Sequence, residues 1–182
     1  MGAGEELYLQ YRAGDESGFD RLIGLYRENL IYFLSRYLPR LEDAEDAAED
    51  AFVSLLLHPW KPGRGASLKT YLFTLGRNRA ITLAKRQSRR RSYDAPEEAE
   101  PATERHALEE RVCREENRRA LLQALEEISP DYREALYLLY FEGLSLDETA
   151  KVMKKNKKQI ENLSYRGKAA LREKLEKEGI SL

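Results

Sequence analysis

The chain has 182 residues, with 31 Lys or Arg against 32 Asp or Glu, and a net charge of −1. A single cysteine, Cys113, excludes an internal disulfide, and two histidines exclude a His-based metal cluster. The longest charge-free apolar runs, such as Phe52 to Trp60, fall far short of the roughly 20 residues that a bilayer span needs, and the start MGAGEELYLQ lacks the basic and apolar parts of a signal peptide. A reducing, cytoplasmic setting and a mostly helical chain are the expectation, since only 11 Gly and 6 Pro interrupt it.

In chain order, residues 5–13 suit a short helix ending at Gly14. Asp15 can cap a second helix running to about Tyr37, where Phe19, Leu22, Ile23, Tyr26, Leu30, Phe33 and Leu34 recur at three- and four-residue steps; Pro39 stops it. A third helix starts near Asp43 as DAEDAAEDAFVSLLLH. Its early carboxylates suit a helix N-terminus, but Glu42, Asp43, Glu45, Asp46, Glu49 and Asp50 are six, more than the dipole needs, and the surplus suits a basic partner. Its C-terminal half is more apolar than one buried face requires. Two prolines and two glycines then shape the loop HPWKPGRG, where Trp60 either pockets a planar group or plugs the core.

Residues 61–91 hold ten Lys or Arg and no Asp or Glu. Such a run is either a solvated basic face or a surface for a polyanion. Ser67 opens a helix whose Leu68, Leu72, Leu75 and Leu83 share one side, leaving Lys69, Thr74, Arg77, Asn78 and Lys85 largely on another. Residues 93–116 then carry 9 acidic and 3 basic residues. The segment DAPEEAEP, with two prolines and no large apolar residue, reads as a tether that cannot bury enough surface to order itself.

Beyond the tether a helix is expected from about Glu104 to Ile128, and Ser129-Pro130 restarts another that ends at Gly143. Two capping signatures follow: Ser145 with Glu148, and Asn156 with Gln159. A two-turn helix, a tight break at residues 154–156 and a longer helix to about Lys177 give a helix-turn-helix layout, which either binds DNA or is a plain helical pair. Ile160, Leu163 and Leu171 can anchor the last helix. Lys157, Lys158, Gln159, Asn162, Tyr165, Arg166 and Lys168 are left to reach outward.

Taken in order, AGDESGFDRLIGLYRENL, DAEDAAEDAFVSLL, GRGASLKTYLFTLGRNRAI, LEEISPDYREALYLLYFEGLSLDETAKVM and QIENLSYRGKAALREKL resemble the bacterial RNA polymerase sigma factors of the extracytoplasmic-function (ECF) group over nearly the whole chain. The resemblance implies an all-α protein of two small helical domains joined by a flexible acidic linker. These would be residues 1–92, a linker at 93–112, and a helix-turn-helix domain at 113–182. It also implies a promoter-specificity subunit, neither an enzyme nor a user of metal or cofactor. Asp46, Glu49, Asp50, Phe52 and Leu56 become candidate contacts to the clamp helices of the polymerase β′ subunit. Trp60, Lys61, Arg64, Lys69, Tyr71, Thr74, Arg77, Asn78, Lys85 and Arg86 become candidates for the melted minus-ten element and the duplex just upstream.

In the second domain, which in the family also meets the flap of the β subunit, Lys155, Lys157, Lys158, Gln159, Asn162, Tyr165 and Arg166 become candidates for the minus-thirty-five duplex. An anti-sigma protein is the further partner implied, and no direct membrane contact is. Three positions depart from the family pattern: Lys154 where the turn often has Gly, Glu161 at a commonly basic position, and Gly167 inside a helix. Two other functions fit the residues alone. One is a free-standing helix-turn-helix regulator; the other is a helical adaptor without nucleic acid.

Overall fold

The computed structural model describes residues 2–63, 65–91 and 116–177, and the chain divides into two compact units, Met1–Val112 and Cys113–Leu182. Every regular element among the described residues is helical. The expected linker at 93–112, the helix start near Glu104, Cys113 and Arg64 lie outside the described residues.

In the first unit, α1 (Ala3–Arg12) and α2 (Ser17–Leu34) join through a tight turn at Gly14, whose φ is +105°. Asp15 fixes the start of α2 by accepting from the Ser17 N–H at 3.1 Å and hydroxyl at 2.6 Å. The Ser17 hydroxyl, with Arg21 assisting, holds the Asp15 carboxyl below its ordinary value. The contribution of this cap is therefore full above the ordinary carboxylate range and is lost as pH falls through the depressed value. The second helix ends at Leu34, short of the expected Tyr37. There the Ser35 hydroxyl donates to the Tyr32 carbonyl at 2.9 Å, and the chain turns before Pro39 is reached.

Helix α3 (Leu41–Leu57) packs along α4 (Leu68–Arg91), and α2 lies against both. Small residues make this closeness sterically feasible. Ala44, Ala47, Ala48 and Ala51 form the buried stripe of α3. A Cβ at Gly76 of α4 would lie 3.1 Å from Leu30 and 3.2 Å from Leu34. Around them Leu22, Phe33, Leu55, Leu68, Leu72 and Phe73 are fully buried, each contributing about 1.5–3 kcal/mol of transfer free energy.

The second unit contains α5 (Glu116–Glu126), α6 (Pro130–Leu136), α7 (Leu146–Met153) and α8 (Lys157–Lys177). Pro130 starts α6 as expected, but Ser129 makes no side-chain cap. Instead Arg133 closes the end of α5. Its guanidinium donates to the carbonyls of Leu125 at 2.9 Å, Ile128 at 3.2 Å and Glu126, and pairs with the Glu126 carboxylate at 2.7 Å. After Leu136 the chain winds one wide π-helical turn, Tyr137–Phe141, with the Tyr137 and Phe141 rings stacked 5.5 Å apart. Gly143, at φ +67°, then turns the chain into α7.

Both capping signatures form. Ser145 and Glu148 exchange bonds at 3.2 and 3.0 Å, and Asn156 and Gln159 at 2.9 and 2.8 Å. Between the two helices Lys154 takes the left-handed conformation, φ +54° and ψ +42°. The turn is therefore as sharp as a glycine would make it, although Lys154 departs from the family's Gly. Gly167 is buried, and a Cβ there would stand 3.2 Å from both Tyr132 and Leu136. It is the point where α8 meets α6 rather than a weak spot in the helix.

Candidate nucleic-acid and polymerase interface

Helix α3 buries its alanine stripe and turns its carboxylates outward. Several of them already have cationic neighbours. Arg27 of α2 lies 3.8 Å from Glu45 and 4.0 Å from Glu49, Arg40 meets Glu42 at 2.6 Å, and Arg79 of α4 meets Asp50 at 2.5 Å. Gln87 donates to Asp43 at 2.9 Å. Asp46 is exposed and has no partner among the described residues. The apolar end of α3 is split between core and solvent. Phe52 is only 5 % exposed and packs edge-on against Phe19 at 6.3 Å. Its assignment as a docking side chain is thereby corrected: it belongs to the core. Val53, Leu56 and Leu57 are the exposed apolar residues instead, Leu57 at 70 %. Only Leu56 was among the expected contacts; the surplus apolarity of the helix was the signal for the other two.

The loop between α3 and α4 is held from inside. Trp60 is only 8 % exposed, stands edge-on to Tyr8 at 6.1 Å, and donates its indole N–H to the Ala66 carbonyl at 2.9 Å. The core-plug alternative for Trp60 is the one realised, and its ring is not a free stacking surface. The Tyr71 hydroxyl donates to the His58 carbonyl at 2.9 Å, and the Leu68 N–H reaches Glu5 of α1 at 3.4 Å. Gly63 and Gly65 adopt φ of +77° and +79°, where a side chain would be strained.

Along α4 the expected contact residues divide. Lys61 of the preceding loop is exposed, as are Lys85 and Arg86 of the helix. Asn78 is half-buried, with no side-chain partner among the described residues. Lys69 lies 5.9 Å from the rings of Tyr26 and Phe73, and Arg77 lies 5.8 Å from that of Tyr37. Thr74 spends its hydroxyl on the Thr70 carbonyl at 2.7 Å. The cationic face is thus partly anchored on aromatic rings and partly free.

On α8, Ile160, Ser164 and Gly167 are buried at three- and four-residue spacing, which turns Lys158, Asn162, Tyr165 and Arg166 to solvent. Tyr165 is 79 % exposed. Lys155 and Lys157 are tied to Asp131 at 3.2 Å and Asp147 at 3.1 Å. Gln159 has its amide oxygen committed to the Asn156 N–H. The cap leaves its amide N–H groups pointing from an exposed side chain, so Gln159 can serve the cap through its oxygen and still donate. What remains is a row of unencumbered donors at the start of a helix of major-groove diameter.

Among the described residues no helix is long and apolar enough to cross a membrane, and no group of three or more His, Cys, Asp or Glu could hold a metal ion.

Comparison with known proteins gives this geometry a family. The sigma-70 region 2 family model matches residues 22–90, and the sigma-70 region 4 model matches residues 118–171. The chain belongs to the sigma-70 family of RNA polymerase sigma factors, in its ECF group. It is 27 % identical over 162 residues to the ECF RNA polymerase sigma factor BldN of Streptomyces coelicolor, covering 88 % of this chain and 61 % of that protein. It is 26 % identical over 175 residues to the RNA polymerase sigma-H factor of Pseudomonas aeruginosa, covering 92 % of this chain and 91 % of that one. In fold it is similar to the sigma factor RpoE of Bartonella quintana, solved in complex with the anti-sigma factor NepR. That match has a TM-score of 0.63 and 21 % identity over 87 % of this chain and 96 % of that one.

Proposed function

We propose that the chain, as a promoter-specificity subunit of bacterial RNA polymerase, divides its work among three surfaces. The outer face of α3 docks on the core enzyme. The loop of residues 60–66 and the exposed part of α4 hold the opened minus-ten element. Helix α8 enters the major groove of the minus-thirty-five element. The observation that supports this most directly is the free donor row Lys158, Asn162, Tyr165 and Arg166 on a capped, sharply turned helix-turn-helix.

On α3, Asp46, Leu56 and Leu57 combine a free carboxylate with exposed apolar surface. That combination suits a partner helix carrying Lys or Arg beside apolar residues, which is what docking on the clamp helices of β′ would call for. In the minus-ten region, Lys61, Asn78, Lys85 and Arg86 are placed to meet the strand backbone, where one cation per phosphate gives sequence-independent grip. Exposed Leu57 and Val53 are also the natural cover for an anti-sigma protein, which would compete with the core enzyme for α3.

The test is transcription from a promoter library with core polymerase and the full chain. Start-site-specific transcripts that depend on the chain are the expected result. Asp46→Lys with Leu57→Ala is expected to lower core-enzyme affinity about tenfold or more, as the loss of one well-placed charge contact and one apolar anchor implies. Tight binding to duplex DNA without polymerase, and no dependence of transcription on the chain, would replace this reading with a free-standing regulator.

A further inference from the structure

Glu161 is an acid in the middle of the surface that should meet DNA. It is exposed and has no hydrogen-bond or ion-pair partner among the described residues. The lack of a partner is not for want of cations. Lys157 precedes it by four residues on the same helix, the spacing at which opposite charges normally pair. Yet Lys157 reaches away to Asp147 of α7 at 3.1 Å. Lys168 lies over the Tyr140 ring at 4.7 Å, and Lys155 is held by Asp131 at 3.2 Å.

Each residue of a helix advances about 100°, so Glu161 stands beside the outermost strip of Lys158, Asn162 and Tyr165. It lines an open groove with Leu139, Tyr140, Leu146, Tyr165 and Lys168. A bare carboxylate pressed toward a phosphate-lined groove costs free energy unless something there donates to it. Phosphates, guanine N7 and O6, and thymine O4 only accept. Adenine offers its N6 amino group beside the acceptor N7. Cytosine offers its N4 amino group with no acceptor on its own major-groove edge, and is the base that matches a carboxylate.

We propose that Glu161 is a specificity-determining residue that selects a cytosine in the upstream promoter element by accepting a hydrogen bond from its N4 amino group. The proposal rests on the assignment of α8 to the minus-thirty-five duplex and adds a base identity to it. Lys158, about 60° round the helix from Glu161, then offsets the nearest phosphate repulsion, and the free Tyr165 ring, one turn on, covers the neighbouring base edge.

The experiment is transcription by core polymerase with the full-length parent, Glu161→Gln or Glu161→Ala, on a library randomised across the upstream element and read by transcript sequencing. Thermal melts confirm that both variants fold; position 161 is exposed and carries no structural bond, so neither should melt below the parent. The parent is expected to favour cytosine at one position by about 5- to 100-fold, the discrimination of one base-edge pair. Glu161→Ala flattens that position alone. Glu161→Gln moves its preference toward adenine, whose donor and acceptor match an amide. If both variants keep the parent's base preference at every position and only total output rises, Glu161 is merely an electrostatic brake and the proposal is overturned. If the parent shows chain-dependent transcription with no upstream preference at all, the assignment of α8 fails first and takes this inference with it.

Discussion

Lys154 shows how a single residue can be asked to do what its chemistry disfavours. Its left-handed conformation, φ +54°, places its Cβ close to its own carbonyl, at a cost of about 1 kcal/mol or somewhat more. The turn needs that conformation, because the N–H groups of Lys154 and Lys155 reach back to the Lys151 and Ala150 carbonyls at 3.3 and 3.0 Å. Lys154→Gly is therefore expected to stabilise the second unit by about 0.5–1 kcal/mol after the extra freedom of glycine in the unfolded chain is subtracted. Lys154→Ala, which keeps the Cβ, should gain nothing. Chemical unfolding of the two variants checks this, and a glycine variant no more stable than the alanine one would show that the turn is unstrained. Gly167 is the converse case. There the helix accepts about 1 kcal/mol of poor propensity so that α6 and α8 can approach until a Cβ at that position would stand 3.2 Å from Tyr132 and Leu136.

At the level of elements, the loop between α3 and α4 works because α1 braces it. Trp60 joins Tyr8 of α1 to the Ala66 carbonyl, and Glu5 of α1 caps the first N–H of α4. Trp60→Phe keeps an aromatic plug but frees the Ala66 carbonyl, which releases the far side of the loop. The first unit should still fold, within about 1 kcal/mol of the parent. Promoter opening should fall about tenfold, equivalent to weakened stacking of one captured base, with core-enzyme affinity unchanged. Permanganate reactivity of the melted thymines, beside a core-binding competition, separates these effects; parent-level opening would mean that the loop needs no brace.

The same region shows what was and was not legible in the sequence. Apolar spacing located the helices, and Ser145–Glu148 and Asn156–Gln159 located both caps of the helix-turn-helix, since these signals are local. The direction in which Phe52 and Trp60 face was not legible, because it is decided by Phe19 and Tyr8, which are distant in the chain. The π-helical turn at Tyr137–Phe141 was hidden for a related reason. YLLYF suits an ordinary helix equally well; the wider turn is marked by the Glu142 N–H donating to the Tyr137 carbonyl at 3.1 Å, beside the buried bond from the Tyr137 hydroxyl to Glu142 at 2.9 Å. Gln159 was legible twice over, as cap and as base reader, and the cap holds its oxygen.

For the whole molecule the governing fact is that each unit carries a core of its own, while charge is nearly balanced at −1 overall. Helix α8 and the turn before it offer few free cations at their start, since Lys155 and Lys157 are already paired within their own unit. Unaided binding to duplex DNA should accordingly be weak and should vanish with modest salt. Specificity then depends on two modest contacts being presented together, with polymerase fixing their spacing and the acidic segment after Ser92 keeping them on one chain. Joining two binding modules raises the effective affinity of the second by about 10²–10⁴ without any new contact. A protease site introduced after Pro101 tests this on the assembled protein. Cutting should leave both units folded, with unchanged melting of each, because the described cores lie within residues 2–91 and 116–177. Promoter-specific transcription at limiting protein should drop by about a hundredfold and recover in part when the two pieces are supplied in large excess. Transcription that survives the cut at the parent's level would mean that the upstream unit is held by polymerase alone and that the tether contributes nothing to promoter selection.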